Sequence, residues 1–246
     1  MRRFFVEPGL LQGKSSVLTG ELCRHIATVL RLKTGDTLLL ADGTGREAVA
    51  TITALEKDGI RVDIQPAIAE AAAGNMPRIT IYQGLPKGEK LELILQKCTE
   101  LGASEIVPFM AARSITRLEG EKLEKRVTRW QKIALEAARQ SGRETIPRVD
   151  FAPDLSGVLK RGDHDLCLML WEEERQQGLR TVLAATECPE SIAVIIGPEG
   201  GLTPGEAAMA RAAGYSPVTL GKRILRTETA GLAVVSILQY LWGDLG

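Results

Sequence analysis

The 246-residue sequence is poor in the residues that many catalytic chemistries need. It has only two histidines, His25 and His164, so a serine–histidine–aspartate relay finds no support in it. Its four cysteines, Cys23, Cys98, Cys167 and Cys188, include no C-x-x-C pair. That spacing gives no zinc site and reads as free thiols in a reducing compartment. Aromatic residues make up 4%, too few for a chain-wide platform that stacks single-stranded nucleic acid. Net charge is also missing: 31 basic side chains meet 31 acidic ones, which excludes a uniformly basic nucleic-acid binder but not a local basic face. The longest apolar run, residues 230–242, is broken by Ser236 and Gln239. It is too short to span a bilayer and reads as a buried helix. Glu7 and Pro8 end the apolar stretch behind Arg2-Arg3 too early for an export signal, so a soluble cytoplasmic protein is expected. Residues 84–90, Gly-Leu-Pro-Lys-Gly-Glu-Lys, lack the spacing and the hydroxyl of a Walker A loop. Neither a G-x-G-x-x-G motif nor a fixed-period repeat is present.

What is present is ordinary in bulk and uneven in detail. Hydrophobic residues at 44% and charged residues at 25% exclude general disorder, and the length suits one large core or two modest ones. Residues 1–77 carry 9 basic and 9 acidic side chains, residues 78–148 carry 14 and 9, and residues 149–246 carry 8 and 13. A basic middle and an acidic end imply two surfaces with different partners, or two solvated faces that differ by chance.

Residues 1–72 read as a small β domain. Strands are expected at 37–41, 47–54 and 60–65, with turn signals at Asp42-Gly43 and Asp58-Gly59 and a helical patch at 21–30. A small β-barrel is the natural closure. Residues 67–77, rich in alanine and ending in Gly74, Asn75, Met76 and Pro77, read as a linker, with the boundary near 73. In residues 73–246 the period changes. Leu91, Ile94, Leu95, Cys98 and Leu101 form one stripe of a helix over 89–101, which Gly102 stops. A helix over 122–140 turns Leu123, Val127, Trp130, Ala134 and Ala137 inward and Lys125, Arg126, Arg129 and Lys132 outward. Short apolar runs at 79–83, 106–109, 166–170, 192–196 and 218–220 lack alternation, as strands covered on both faces do. Helices at 204–213 and 229–242 alternate with them. This is an α/β domain with a parallel sheet, whose ligand is expected at the carboxyl ends of the strands.

Three late loops leave such ends. The first is Leu170-Trp171-Glu172-Glu173-Glu174. The second, Ile196-Gly197-Pro198-Glu199-Gly200-Gly201-Leu202-Thr203, has three glycines in five residues, so a ligand can approach its backbone. Its N–H and C=O groups suit a flat polar ligand such as adenine; a tight strand–helix turn explains them equally well. In the third, residues 220–230, Ile224 and Leu225 either line a slot for a nucleobase or fill the core. Arg226 offers a fixed positive fork to developing negative charge. Thr227 is the expected helix N-cap, with Glu228 in the first turn.

Ile196-Gly197-Pro198-Glu199-Gly200-Gly201, followed by Leu220-Gly221-Lys222-Arg223-Ile224-Leu225-Arg226-Thr227-Glu228-Thr229-Ala230, resembles the SPOUT-class RNA methyltransferases. More closely it resembles the ribosomal RNA small subunit methyltransferase E family, the 16S rRNA uridine-N3 methyltransferases. Further shared signatures are Met1-Arg2-Arg3-Phe4-Phe5, His25 with Val29-Leu30-Arg31-Leu32 and Gly35-Asp36, Gln96-Lys97 with Thr99-Glu100-Leu101-Gly102, Arg113-Ser114, and Gln140-Ser141-Gly142-Arg143 with Pro147. The resemblance implies an N-terminal PUA-like β-barrel and a C-terminal α/β domain tied in a trefoil knot. It also implies S-adenosylmethionine as methyl donor, no metal, 16S rRNA of the small ribosomal subunit as substrate, and a homodimer.

On that resemblance Leu170, Glu172, Ile196, Gly197, Pro198, Gly201, Leu220, Gly221, Ile224, Leu225, Thr229 and Ala230 would wrap the cofactor, with Glu172 on its ribose hydroxyls. Uracil N3 holds a proton at neutral pH. Arg226 is therefore expected to stabilise charge on the uracil oxygens, and Glu199 and Glu228 are both candidate bases. N3 lies on the pairing edge, so the target must be unpaired or flipped out. RNA contacts are expected from Arg2, Arg3, His25 and Arg31 of the barrel and from Arg113, Arg117, Arg139 and Arg143 of the basic middle. Two other readings stay open: a 2′-O-ribose methyltransferase of the same class, and an RNA-binding or ribosome assembly factor without catalysis.

Overall fold

The computed structural model describes residues 1–65 and 76–245, so all of the linker read at 67–77 except Met76 and Pro77 lies outside the described residues. The chain forms two units. One joins Met1–Ala73 to Ala138–Ile146, and the other joins Gly74–Ala137 to Pro147–Gly246.

In the first unit, β1 (Arg2–Phe5), β2 (Ser15–Leu18), α1 (Gly20–Arg24), β3 (Thr37–Ala41), β4 (Glu47–Glu56) and β5 (Gly59–Ile64) follow in order. The sheet order is β1-β3-β4-β5-β2, with β1 parallel to β3 and the other neighbours antiparallel. Period-two alternation builds its core: Ala48, Ala50 and Ile52 of β4 are buried with Leu38, Leu40, Ile60 and Val62. The helical patch read at 21–30 is a short α-helix that passes into a π-turn at His25–Val29, and Ile26 is buried from it. β1 and β2 have four residues each, too few for alternation to reveal them.

The single cut near residue 73 misses residues 138–146, which pack with this unit. The Arg3 guanidinium hydrogen-bonds the carbonyl of Gly142, 139 positions away. Thr44 bridges Thr145, and the Ile146 N–H donates to Gly43 O at 3.0 Å. Periodicity is local and carries no trace of such pairings.

The second unit contains β6 (Arg78–Gly84), α2 (Lys90–Glu100), β7 (Glu105–Phe109), α3 (Gly120–Ser141, its last turn in the first unit), β8 (Arg148–Val149), α4 (Leu155–Leu159), β9 (Leu166–Leu170), α5 (Leu179–Ala184), β10 (Ser191–Ile196), α6 (Pro204–Ala212), β11 (Ser216–Val218) and α7 (Thr227–Trp242). Its sheet, in the order β11-β9-β10-β6-β7-β8, is parallel throughout. Ile192, Val194 and Ile196 of β10 join an apolar cluster with Ile94, Leu95 and Cys98 of α2 and Val234, Val235 and Leu238 of α7. Ala193 and Ile195 join another with Leu155 and Val158 of α4 and Ala207 and Ala210 of α6. Helices thus cover both faces, which is why these strands show no alternation. Each fully buried Val, Leu or Ile contributes about 1.5–3 kcal/mol over exposure.

Gly102, at φ +99°, ends the helix as expected, but it does more than stop it. A side chain there would collide with Gln239 of α7, whose amide nitrogen donates to Gly102 O at 3.2 Å. The last apolar run is also shifted: β11 spans Ser216–Val218 rather than 218–220. Thr219 instead closes on the loop after β9, donating to Gln177 O at 2.9 Å and accepting from Leu179 N at 3.0 Å. From the sheet edge at β11 the chain then leads to α7, which packs on α2 and β10.

Candidate active site

The loop after β10 is held from three sides. Thr227, the first residue of α7, donates its hydroxyl to Gly197 O at 2.6 Å and accepts from the buried Gln83 amide at 2.8 Å. Arg113 donates to Gly200 O at 2.8 Å. Thr203 caps α6 in a capping box with Glu206, whose other oxygen accepts from Ala112 N at 2.8 Å. Within the loop Gly201 takes φ +69° and donates to Pro198 O at 2.9 Å. A Cβ on Gly201 would fall on the Glu172 carboxylate, so only glycine lets the first loop lie this close.

The three loops enclose a cleft of about 900 Å³. Leu170, Glu172, Ile196, Gly197, Pro198, Gly201, Leu220, Gly221, Ile224, Leu225 and Ala230 all line it, together with Glu199 and Arg226. Thr229 does not: it is exposed and turned away. The helix starts at Thr227, and two residues further on a helical side chain has rotated by more than half a turn. The expected cap is shifted as well. Arg226 is the extended N-cap residue, without a side-chain cap bond, and Thr227 is already helical. Ile224 and Leu225 part company: Leu225 packs against the core while Ile224 is 85% exposed.

The three consecutive glutamates also have separate surroundings. Glu174 folds its own loop, because the N–H groups of Gln176 and Gln177 hold its carboxyl below the usual range. Arg211 pairs with Glu174 at 3.4 Å and lies 5.0 Å from the Trp171 ring centroid. Glu172 faces the cleft and Glu173 is exposed.

The two candidate bases differ. Glu199 accepts from Lys90 Nζ at 2.8 Å and from Lys87 N at 3.2 Å. Burial alone would raise its carboxyl, but the Lys90 hydrogen bond and the backbone N–H groups outweigh burial and hold it below the usual carboxylate range. Glu228 does not line the cleft; its Oε2 is buried without a hydrogen-bond partner, 3.8 Å from Lys90 Nζ. Lys90 itself lines the cleft, and its hydrogen bond to Glu199 raises its affinity for its proton. Sequence reading passes over Lys90 because it ends the rejected Walker-like segment. Its position just past β6, at the carboxyl edge of the sheet, is the signal that could have found it.

The lining fits an adenosyl cofactor. Apolar Leu170, Ile196, Leu220, Leu225 and Ala230 suit a purine, the bare backbone at Gly197 and Gly201 offers main-chain hydrogen bonds, and Glu172 suits vicinal hydroxyls. Among the described residues, no group of three or more His, Cys, Asp or Glu is placed to hold a metal ion.

The expected RNA-contacting residues divide. Arg2, His25 and Arg31 are exposed, and Arg31 is the only non-glycine at positive φ (54°) among the described residues. Arg3 is committed inside its own unit, to Glu47 at 2.5 Å, Glu144 at 3.8 Å and the Gly142 carbonyl. Arg139 and Arg143 belong to the first unit, Arg113 and Arg117 to the second, so the basic middle is not one patch of one unit. Arg117 is exposed, whereas Arg113 anchors Gly200.

A family model described as RNA methyltransferase domain matches residues 74–239, and one described as RNA methyltransferase PUA domain matches residues 18–65. The ribosomal RNA small subunit methyltransferase E of Bacillus subtilis is 38% identical over 98% of this chain and 96% of its own length. That of Mycobacterium tuberculosis is 33% identical over 97% and 92%. Among solved structures, a ribosomal RNA small subunit methyltransferase E from Neisseria gonorrhoeae bound to S-adenosyl methionine matches with a TM-score of 0.85 at 34% identity, covering 100% of both chains. A methyltransferase from Legionella pneumophila with bound SAM matches at 0.84 and 31% identity over 99% of this chain and 98% of its own.

Proposed function

Because the chain belongs to the ribosomal RNA small subunit methyltransferase E family, with a PUA-like domain ahead of a SPOUT-class α/β domain, we propose that it transfers a methyl group from S-adenosylmethionine to N3 of a specific uridine in 16S rRNA. The observation that carries this reading is the glycine-backed cleft at the carboxyl ends of β9, β10 and β11, with Arg226 on its wall.

When bound, the donor supplies a methyl group already activated on a sulfonium. The residues of this chain therefore need chiefly to align and to manage one proton. The backbone of Gly197 and Gly201, with Ile196, Leu225 and Ala230, would hold adenosine, and Glu172 would accept from the ribose hydroxyls. Arg226 would stabilise negative charge on the uracil oxygens. Of the two carboxylates, Glu199 is the one on the cleft wall and is the better placed proton acceptor.

Exposed Arg2, His25, Arg31 and Arg117 would meet RNA phosphates. A second copy of the chain is supported by α7, whose outer side leaves Ile237, Tyr240 and Leu241 exposed at 38%, 70% and 47%. No helix among the described residues is long and apolar enough to cross a membrane, and work on the ribosomal subunit would place the protein in the cytoplasm.

Mass spectrometry of small-subunit rRNA from cells lacking this protein tests the reading. N3-methyluridine should disappear and return on complementation. Loss of a 2′-O-methyl nucleoside instead would make the ribose-modifying alternative correct, and an unchanged nucleoside profile would leave only a binding or assembly role.

A further inference from the structure

Deprotonating uracil N3 spreads negative charge over two carbonyl oxygens, yet the reading above supplies one cation, Arg226. A second cation lies on the same wall. Lys90 lines the cleft, and Arg226 is near enough for its charge to act on Lys90. Around this ammonium stand Glu199 at 2.8 Å and Glu228 at 3.8 Å. We propose that Lys90 is a catalytic residue of the methyl transfer, passing from Glu199 to a uracil oxygen as N3 gives up its proton.

The proposal rests on the uridine-N3 reading. An ammonium has three donors, and Glu199 occupies one of them in a hydrogen bond. Glu228, whose Oε2 has no hydrogen-bond partner, keeps a second carboxylate within reach while the ammonium moves. Glu199 stays anchored by Lys87 N, so it does not follow. Losing Lys90 makes Glu199 a stronger base at the moment one is needed.

The step balances. The N3 proton passes to Glu199, the N3 lone pair forms the bond to the methyl carbon, and the electron pair of the broken S–C bond remains on the donor's sulfur. Glu199 later releases its proton to water. Among the described residues, the charged groups that act on Lys90 include Glu199 and Glu228, which hold its proton, and Arg226, which opposes them.

The test compares wild type, Lys90→Met and Lys90→Arg on an RNA carrying the target uridine and on the same RNA with 5-fluorouridine there. The fluorine makes N3 more acidic, so less stabilisation of the anion is needed. Lys90→Met should lose about a hundredfold in turnover on uridine, in line with removing one transition-state donor, and recover most of it on 5-fluorouridine. Lys90→Arg, which keeps the charge, should retain more than Lys90→Met, and calorimetry should find S-adenosylmethionine affinity little changed in both. A readout independent of turnover is the fluorine NMR titration of the 5-fluorouridine RNA bound with S-adenosylhomocysteine. Its N3 pKa should be lower on wild type than on Lys90→Met. Equal losses on both RNAs, or equal N3 pKa values, would overturn the role of Lys90. A wild type that forms no N3-methyluridine would overturn the functional reading itself, and this proposal with it.

Discussion

The Thr227 hydroxyl donates to the Gly197 carbonyl oxygen at 2.6 Å, tying the first turn of α7 to the glycine loop after β10. The Thr227 hydroxyl oxygen in turn accepts from the Gln83 side-chain amide at 2.8 Å, so β6, β10 and α7 meet at one hydroxyl. This knot of hydrogen bonds sets the spacing between Arg226 and the loop that backs the cleft. Thr227 is buried, so Thr227→Val would leave Gly197 O without this donor and the Gln83 amide without this acceptor. The cost should be about 1–3 kcal/mol. Thermal denaturation should show a lower Tm, and calorimetry a weaker grip on S-adenosylmethionine. An unchanged Tm would mean that the hydroxyl is dispensable.

Gly201→Ala carries two penalties. The residue sits at φ +69°, where an L side chain costs about 1–2 kcal/mol, and its Cβ would displace the Glu172 carboxylate. Cofactor affinity should fall at least about tenfold, equivalent to about 1.4 kcal/mol, while far-ultraviolet circular dichroism stays native. Wild-type affinity in this variant would remove the close approach of the two loops from the account of binding.

Arg226 lines the cleft as an exposed N-cap residue and makes no side-chain cap bond. Arg226→Ala should therefore fold and bind the donor normally. Single-turnover methylation should slow by about 10²–10³ if the guanidinium meets charge that develops only during reaction. Normal turnover in this variant would shift that duty elsewhere.

Away from the cleft, Arg161 joins Asp150 at 2.8 Å and Glu105 at 3.0 Å. Burial alone would raise the Asp150 carboxyl, but the Arg161 hydrogen bond prevails and holds it below its ordinary 3.8. A carboxyl depressed in the folded state adds stability above the unfolded value and loses it as pH falls through the folded one. Asp150→Asn should lower Tm by a few degrees at pH 7. The gap from wild type should close as pH drops below about 4. A gap that persists at pH 2 would trace the loss to packing instead.

The limits of sequence reading are visible in particular residues. The stripe Leu91, Ile94, Leu95, Cys98 gives a helix correctly, because all four fill one side of one element. The apolar run 192–196 marks a strand covered on both faces for the same reason. Eleven of the twelve residues expected around the cofactor line the cleft, since the family motifs hold them in two short segments beside Leu170 and Glu172. Thr229 lies off the cleft lining through the phase of a helix start, a matter of two residues. Lys90 escapes because its importance lies in Glu199 and Glu228, more than a hundred positions away.

Composition and periodicity by themselves determined the two kinds of architecture, and motif spacing determined the loops that form the cleft. These are properties of neighbours in the chain: side-chain period, turn chemistry and the bareness of glycine. Only the tertiary structure decided that residues 138–146 join the first unit, that Arg3 and Arg113 are spent on backbone carbonyls, and that Lys90 stands between two carboxylates. Each depends on a hydrogen bond or ion pair whose strength falls away within a few ångströms, between groups the chain separates by scores of residues. No local pattern in the sequence records that distance.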